Sequence, residues 1–98
     1  MIVYSMWRGP IETRLSMPVM AKEIASLYGI TIDELRGQDR HKRVVEPRQH
    51  FMWLAHKQPH LSLSMIGGYL NGRDHSTCTH GIKKHQARIN AKALEVAA

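Results

Sequence analysis

Apolar residues recur at helical spacing over most of the chain, and helix-ending residues fall between the runs. Ser16-Met17-Pro18 has the form of a helix start, with Ser16 as cap and Pro18 in the first turn. Met20, Ile24 and Leu27 then make an apolar stripe, and Gly29 ends the helix as its C-terminal cap. Thr31-Ile32-Asp33-Glu34 has the capping-box form and opens a second, short helix that Gly37 stops. From Val44 to about Gln58, Val44, Phe51 and Ala55 with Val45, Met52 and Leu54 form one broad apolar face. Pro47 is expected in the first turn of this helix, where its missing N–H costs nothing, and Pro59 ends it.

The last third of the chain carries a different rhythm. Leu63, Ile66 and Leu70 mark a short amphipathic segment, and Asn71-Gly72 is a strong turn dipeptide. Asp74 or Ser76 can then cap a helix that nothing breaks before about Leu94, with one glycine at Gly81. Cys78, Ile82, Ile89 and Ala93 give that helix an apolar side, and Thr77, Thr79, His80, Lys83, Lys84 and Arg88 lie on the other. Short helix, tight turn and longer basic helix is the helix-turn-helix layout, whose second helix enters the DNA major groove. The expectation is therefore a small all-α domain of about five helices, residues 16–98, carrying a helix-turn-helix. Residues 1–15 precede it: Ile2, Val3, Tyr4 and Trp7 could form a strand but have no partner strand, and Arg8-Gly9-Pro10 breaks any regular element, so a mobile or docking N-terminal arm is expected.

Charge sharpens this picture. The 98 residues carry a formal net charge of +6 and suit one small domain. Residues 1–35 set Arg8, Arg14 and Lys22 against Glu12, Glu23, Asp33 and Glu34, whereas residues 36–92 hold eleven Lys/Arg against only Asp39, Glu46 and Asp74. The basic part coincides with the helix-turn-helix part, which points to a polyanionic partner. The single Cys78 excludes an internal disulfide and fits a reducing compartment. No apolar run reaches membrane-span length, no signal peptide is seen, and no G-x-x-x-x-G-K-[ST] phosphate loop is encoded, so neither membrane nor nucleotide is an expected partner.

The run Ser62-Leu63-Ser64-Met65-Ile66-Gly67-Gly68-Tyr69-Leu70-Asn71-Gly72-Arg73-Asp74-His75-Ser76-Thr77 resembles the signature of the C-terminal DNA-binding domain (domain IV) of the bacterial replication initiator DnaA, roughly S-L-x-x-I-G-x-x-F-G-G-R-D-H-[ST]-T before a basic helix containing a histidine. His80 and Lys83-Lys84 fall where that continuation is expected. Tyr28 to Gly37 is similar to the family's Y-x-[VI]-x-x-x-[DE]-L-x-[GS], and Pro47-Arg48-Gln49 to its P-R-Q. The likeness covers roughly residues 17–94, and it implies a TrpR-like fold and sequence-specific binding of double-stranded DNA at A·T-rich sites of the form TTATNCACA. In that family an arginine leading the basic loop reaches into the minor groove, and Arg40 in Gln38-Asp39-Arg40-His41-Lys42-Arg43 is the matching position. Asp74, His75, Ser76 and Thr77 are then the expected base contacts in the major groove, where a carboxylate can accept from cytosine N4 and a threonine methyl can pack on thymine. Lys42, Arg43, Arg48, Lys57, Ser62, Lys83 and Lys84 are the expected phosphate contacts. Glu46 departs from the family pattern, and a carboxylate near a phosphate path weakens binding.

Other chemistry is not supported. His56 and His60 are separated by Pro59, and His75, His80 and His85 step by five residues, about 140° apart on a helix, so no metal ligand set is formed. Cys78 lies on the apolar stripe and reads as a small buried hydrophobe, and no carboxylate pair stands out for acid–base work. The chain is expected to be no enzyme, to hold no cofactor, to be a monomer and to act in the cytoplasm on the nucleoid. The roles left open are marking or competing for initiator boxes in the regulation of DNA replication, a diverged transcription regulator, or an interaction module that has lost DNA binding.

Overall fold

The computed structural model describes residues 15–97. Five helices follow in order: α1 (Met17–Tyr28), α2 (Ile32–Arg36), α3 (Lys42–His56), α4 (Leu63–Tyr69) and α5 (His75–Ala97). The expected N-terminal arm falls outside the described residues except for Leu15, which is partly buried and whose amide donates to Gln58 Oε1 at 3.4 Å.

The local signals act where the sequence placed them. Ser16 caps α1 by accepting from the Val19 amide, and Gly29 closes it at φ 70°, in the left-handed region. Thr31 and Glu34 complete a reciprocal capping box on α2, satisfying two backbone amides that the helix itself cannot pair. Helix α3 begins at Lys42 rather than Val44, so Lys42 and Arg43 are helical and the basic loop is shorter than expected. Pro47 consequently sits inside α3 and not in its first turn; the bond it cannot donate is the one to the Arg43 carbonyl, near the helix start, and the ring is buried.

Helix α3 packs against each of the other four helices and is the spine of the molecule. The core is Met20, Ile24, Leu35, Val44, Phe51, Met52, Leu54, Ala55, Ile66, Leu70 and Cys78. Helix α1 turns slightly from its predicted stripe: Ala21 and Ala25 join Met20 and Ile24 in the core, while Leu27 is 62% exposed. On α5 the inward line runs through Cys78, Gly81 and His85, with Ile82 and Ile89 partly buried and Ala93 exposed, because the helix outlasts the body of the domain. Gly81 allows α5 to approach α3 closely, since a Cβ there would overlap the Met52 side chain. No described helix is long and apolar enough to cross a membrane.

Candidate nucleic-acid interface

The turn between α4 and α5 is held by backbone and side chain together. Asn71 (φ 62°) and Gly72 (φ 82°) both take left-handed conformations, and the amides of Gly72 and Arg73 both donate to the Gly67 carbonyl at 2.9 Å. Gly67 has to be glycine, because a Cβ would collide with the Arg73 carbonyl. The Arg73 guanidinium then crosses to the end of α2, donating to the carbonyls of Leu70 (2.6 Å) and Gly37 (2.5 Å). Nearby, Asn71 Nδ2 donates to the Arg36 carbonyl (2.6 Å) and Arg36 Nε to the Tyr69 carbonyl (2.7 Å). These bonds lock the turn against α2 and fix where α5 starts.

Asp74 caps α5 through Oδ1, which accepts from the Thr77 amide at 2.9 Å. That bond, first of all, holds the Asp74 carboxyl below its ordinary value, so it is ionised near neutrality. His75, Ser76 and Thr77 are exposed on the first turn of α5. His75 and Ser76 line an open hollow of about 350 Å³ with Thr79, His80 and Lys83. They share a second hollow, about 300 Å³, with Ser64, Arg73 and Asp74. Thr79 and Ser64 were not among the expected contacts; Thr79 was findable in the sequence, lying four residues after His75 and three after Ser76 on one helical face.

The remaining expected contacts are spread over three places. Arg40, Lys42 and Lys84 line a groove of about 540 Å³ between the start of α3 and the middle of α5, together with Glu46, Gln49 and Arg88. Lys42 Nζ lies 3.6 Å from Glu46 Oε2, and Arg43 is paired with Glu34 across from α2. Asp39 accepts from both the amide and the ring of His41, so Arg40 is the basic side chain of the loop that forms no ion pair among the described residues. At the far end of α3, Lys57 Nζ rests 4.5 Å from the centre of the Trp53 ring. Ser62 Oγ caps α4, accepting from the Met65 amide at 3.2 Å.

Arg48, expected to meet phosphate, is turned into the fold. It is 5% exposed, and its guanidinium donates to the carbonyls of Leu35 (2.8 Å), Asp39 (2.9 Å) and Glu34 (2.9 Å). A planar fork with fixed donor directions suits this task of tying the end of α2 and the loop to α3. In sequence, a basic residue on a helix beside a basic loop reads the same whether it points outward or inward.

A further cluster lies behind the groove. The His50 and His85 rings stack with centres 4.3 Å apart, Trp53 leans on His85 at 5.0 Å, and Tyr28 Oη shares a 3.0 Å hydrogen bond with His50 Nδ1. Burial, then the neighbouring His50 and Arg88, pushes the His85 pKa down to about 4, so its ring is neutral in the fold. Burial also raises the Cys78 thiol, which stays protonated and inert. No group of three or more potential metal ligands is found among the described residues.

Residues 19–84 match the family model described as bacterial dnaA protein helix-turn-helix. The chromosomal replication initiator protein DnaA of Chloroflexus aurantiacus is 37% identical over 78 residues, 80% of this chain and 16% of that protein. DnaA of Chloroflexus aggregans is 38% identical over 77 residues, covering 79% and 16%. DnaA of Lactiplantibacillus plantarum is 35% identical over 72 residues, covering 74% and 16%. The chain thus spans about one-sixth of the length of these curated relatives.

Proposed function

Because this chain belongs to the bacterial DnaA helix-turn-helix family, we propose that it binds double-stranded DNA in the initiation or regulation of replication, at A·T-rich initiator-box sites. The observation that carries this reading is the face formed by His75, Ser76, Thr79, His80 and Lys83. These hydrogen-bonding and basic groups, all exposed except the half-buried Thr79, sit on the first turns of a capped helix whose entry angle is clamped by Arg73, which is the geometry a recognition helix needs.

In this reading the first turn of α5 enters the major groove. Asp74 spends one carboxylate oxygen on its cap and keeps the other for a cytosine amino group; His75, Ser76 and Thr77 meet neighbouring base edges. Arg40, free of a carboxylate partner among the described residues, reaches the narrow A·T-rich minor groove. Lys83, Lys84, Lys57 and Ser62 meet phosphates, which set position without reading sequence. Lys42 and Arg43 join them when they exchange Glu46 and Glu34 for phosphate.

The test is binding to an initiator-box duplex and a scrambled duplex, followed by fluorescence anisotropy. His75→Ala is expected to weaken box binding by about 1–3 kcal/mol and scrambled binding much less. Lys83→Ala is expected to weaken both alike. An unchanged ratio of the two affinities in His75→Ala would remove α5 from the role of reading head.

A further inference from the structure

The groove between α3 and α5 holds an internal contradiction. Arg40, Lys42, Lys84 and Arg88 line it, yet so does Glu46, a carboxylate among four cations. The groove is continuous with the expected DNA path: Arg40 leads the basic loop, and Lys84 follows Lys83 of the recognition face on α5. Lys42 is the cation Glu46 neutralises, across one helical turn at 3.6 Å. Arg88 forms the back wall, donating to Gln49 Oε1 and lying 3.2 Å from His85 Nδ1. Its guanidinium is thus held in place, while the Lys42 ammonium, on a side chain 85% exposed, is free to move.

We propose that this groove is a seat for one backbone phosphate of duplex DNA and that Glu46 limits its affinity, by repelling the phosphate and by occupying Lys42. The inference rests on the DNA-binding reading above. Phosphate and carboxylate are both oxyanions and compete for the same ammonium donors, so the seat fills only as the Lys42–Glu46 pair opens. The pair is solvated and contributes little to the fold, which leaves the exchange open at modest cost. Glu46 is a tuning residue: it meets the partner through charge and carries no sequence information.

The experiment compares the parent chain, Glu46→Gln, Lys42→Ala and the double variant on box and scrambled duplexes over a range of salt, with circular dichroism and melting as the check of folding. Glu46→Gln should tighten binding to both duplexes by about three- to tenfold and steepen the salt dependence by about 0.9 in log–log slope, one additional phosphate. Lys42→Ala should cost little in the parent and distinctly more beside Glu46→Gln. Unchanged or weaker binding by a folded Glu46→Gln chain overturns the proposal, as does an equal cost of Lys42→Ala in both backgrounds. If the parent binds neither duplex at low salt, the DNA-binding reading fails and this proposal falls with it; normal binding by the parent with no gain in Glu46→Gln sinks only the seat.

Discussion

Arg48 separates two roles that one residue type can serve. Its three donors meet three carbonyls at the end of α2 and in the following loop, all removed from full solvent contact. Removing it leaves those carbonyls short of partners, and hydrogen bonds to a charged group contribute more than neutral ones. Arg48→Ala is therefore expected to destabilise the DNA-free chain by about 2–4 kcal/mol, seen as a lowered melting temperature. Arg48→Lys should recover little, because a point-like ammonium cannot span three carbonyls with fixed directions. A melt unchanged from the parent would return Arg48 to the set of surface contacts. Asp74 differs: one oxygen of its exposed carboxylate caps α5 by accepting from the Thr77 amide.

At the scale of elements, two glycines with the same sequence appearance differ in what surrounds them. A Cβ on Gly67 would meet the backbone carbonyl of Arg73, which is itself fixed by the turn; on Gly81 it would meet the flexible Met52 side chain. Gly67→Ala is expected to cost on the order of 1–3 kcal/mol or more and to shift the start of α5, lowering both stability and DNA affinity. Gly81→Ala should cost less, on the order of 1–2 kcal/mol, since the buried Met52 side chain has to shift but is not fixed backbone, and alanine favours the helix. Urea titrations of the two variants measure this, and equal losses would mean that the α4–α5 turn is not the rigid joint described. Beyond this joint, α5 is anchored by Cys78, Gly81 and His85, all in its first half, while the residues beyond Asn90 up to Leu94 are exposed.

For the molecule as a whole, two dependences on solution conditions follow. His85 has a folded-state pKa of about 4 against an ordinary value of 6.5, so between these values the unfolded chain binds more protons. Its stabilising contribution is complete above pH 6.5 and is lost as the pH falls through the folded value. His50, lowered by burial and by Arg88, acts in the same direction. Acidification from pH 7 to pH 5 is expected to cost on the order of 1–2 kcal/mol of stability, and His85→Leu should flatten that slope. Melting curves across this range decide it; an equally steep slope in the variant would place the titration elsewhere. The second dependence concerns salt. With Arg48 removed from the phosphate set, log K should fall with log[salt] at a slope of about −3 to −5, near −0.9 for each phosphate neutralised. A flat response would reject binding led by the backbone charge.

The helices, their caps and the turn were written locally. Ser16, Gly29, the Thr31–Glu34 box, Asn71-Gly72 and Asp74 act through atoms a few residues apart, and such interactions survive in any tertiary setting. The exposed cluster from Asp74 to Thr77 was legible for the same reason, since turn and cap together fix which side chains stand on the first helical turn. What lay beyond the sequence was direction. Leu27 and Ala93 kept the spacing of buried residues but fall where no neighbour covers them, and His85 lies on the inward face only because α1 and α3 bring Tyr28, His50 and Trp53 to meet it. The first turn of α3 started early, which set Lys42 one turn from Glu46. The fate of each charge was decided last: Arg48 turned to carbonyls, Arg43 to Glu34 and Lys42 to Glu46, while Arg40 stayed free of ion pairs among the described residues. Pairing of long side chains depends on distances between segments remote in the chain, and only the packed fold sets those distances.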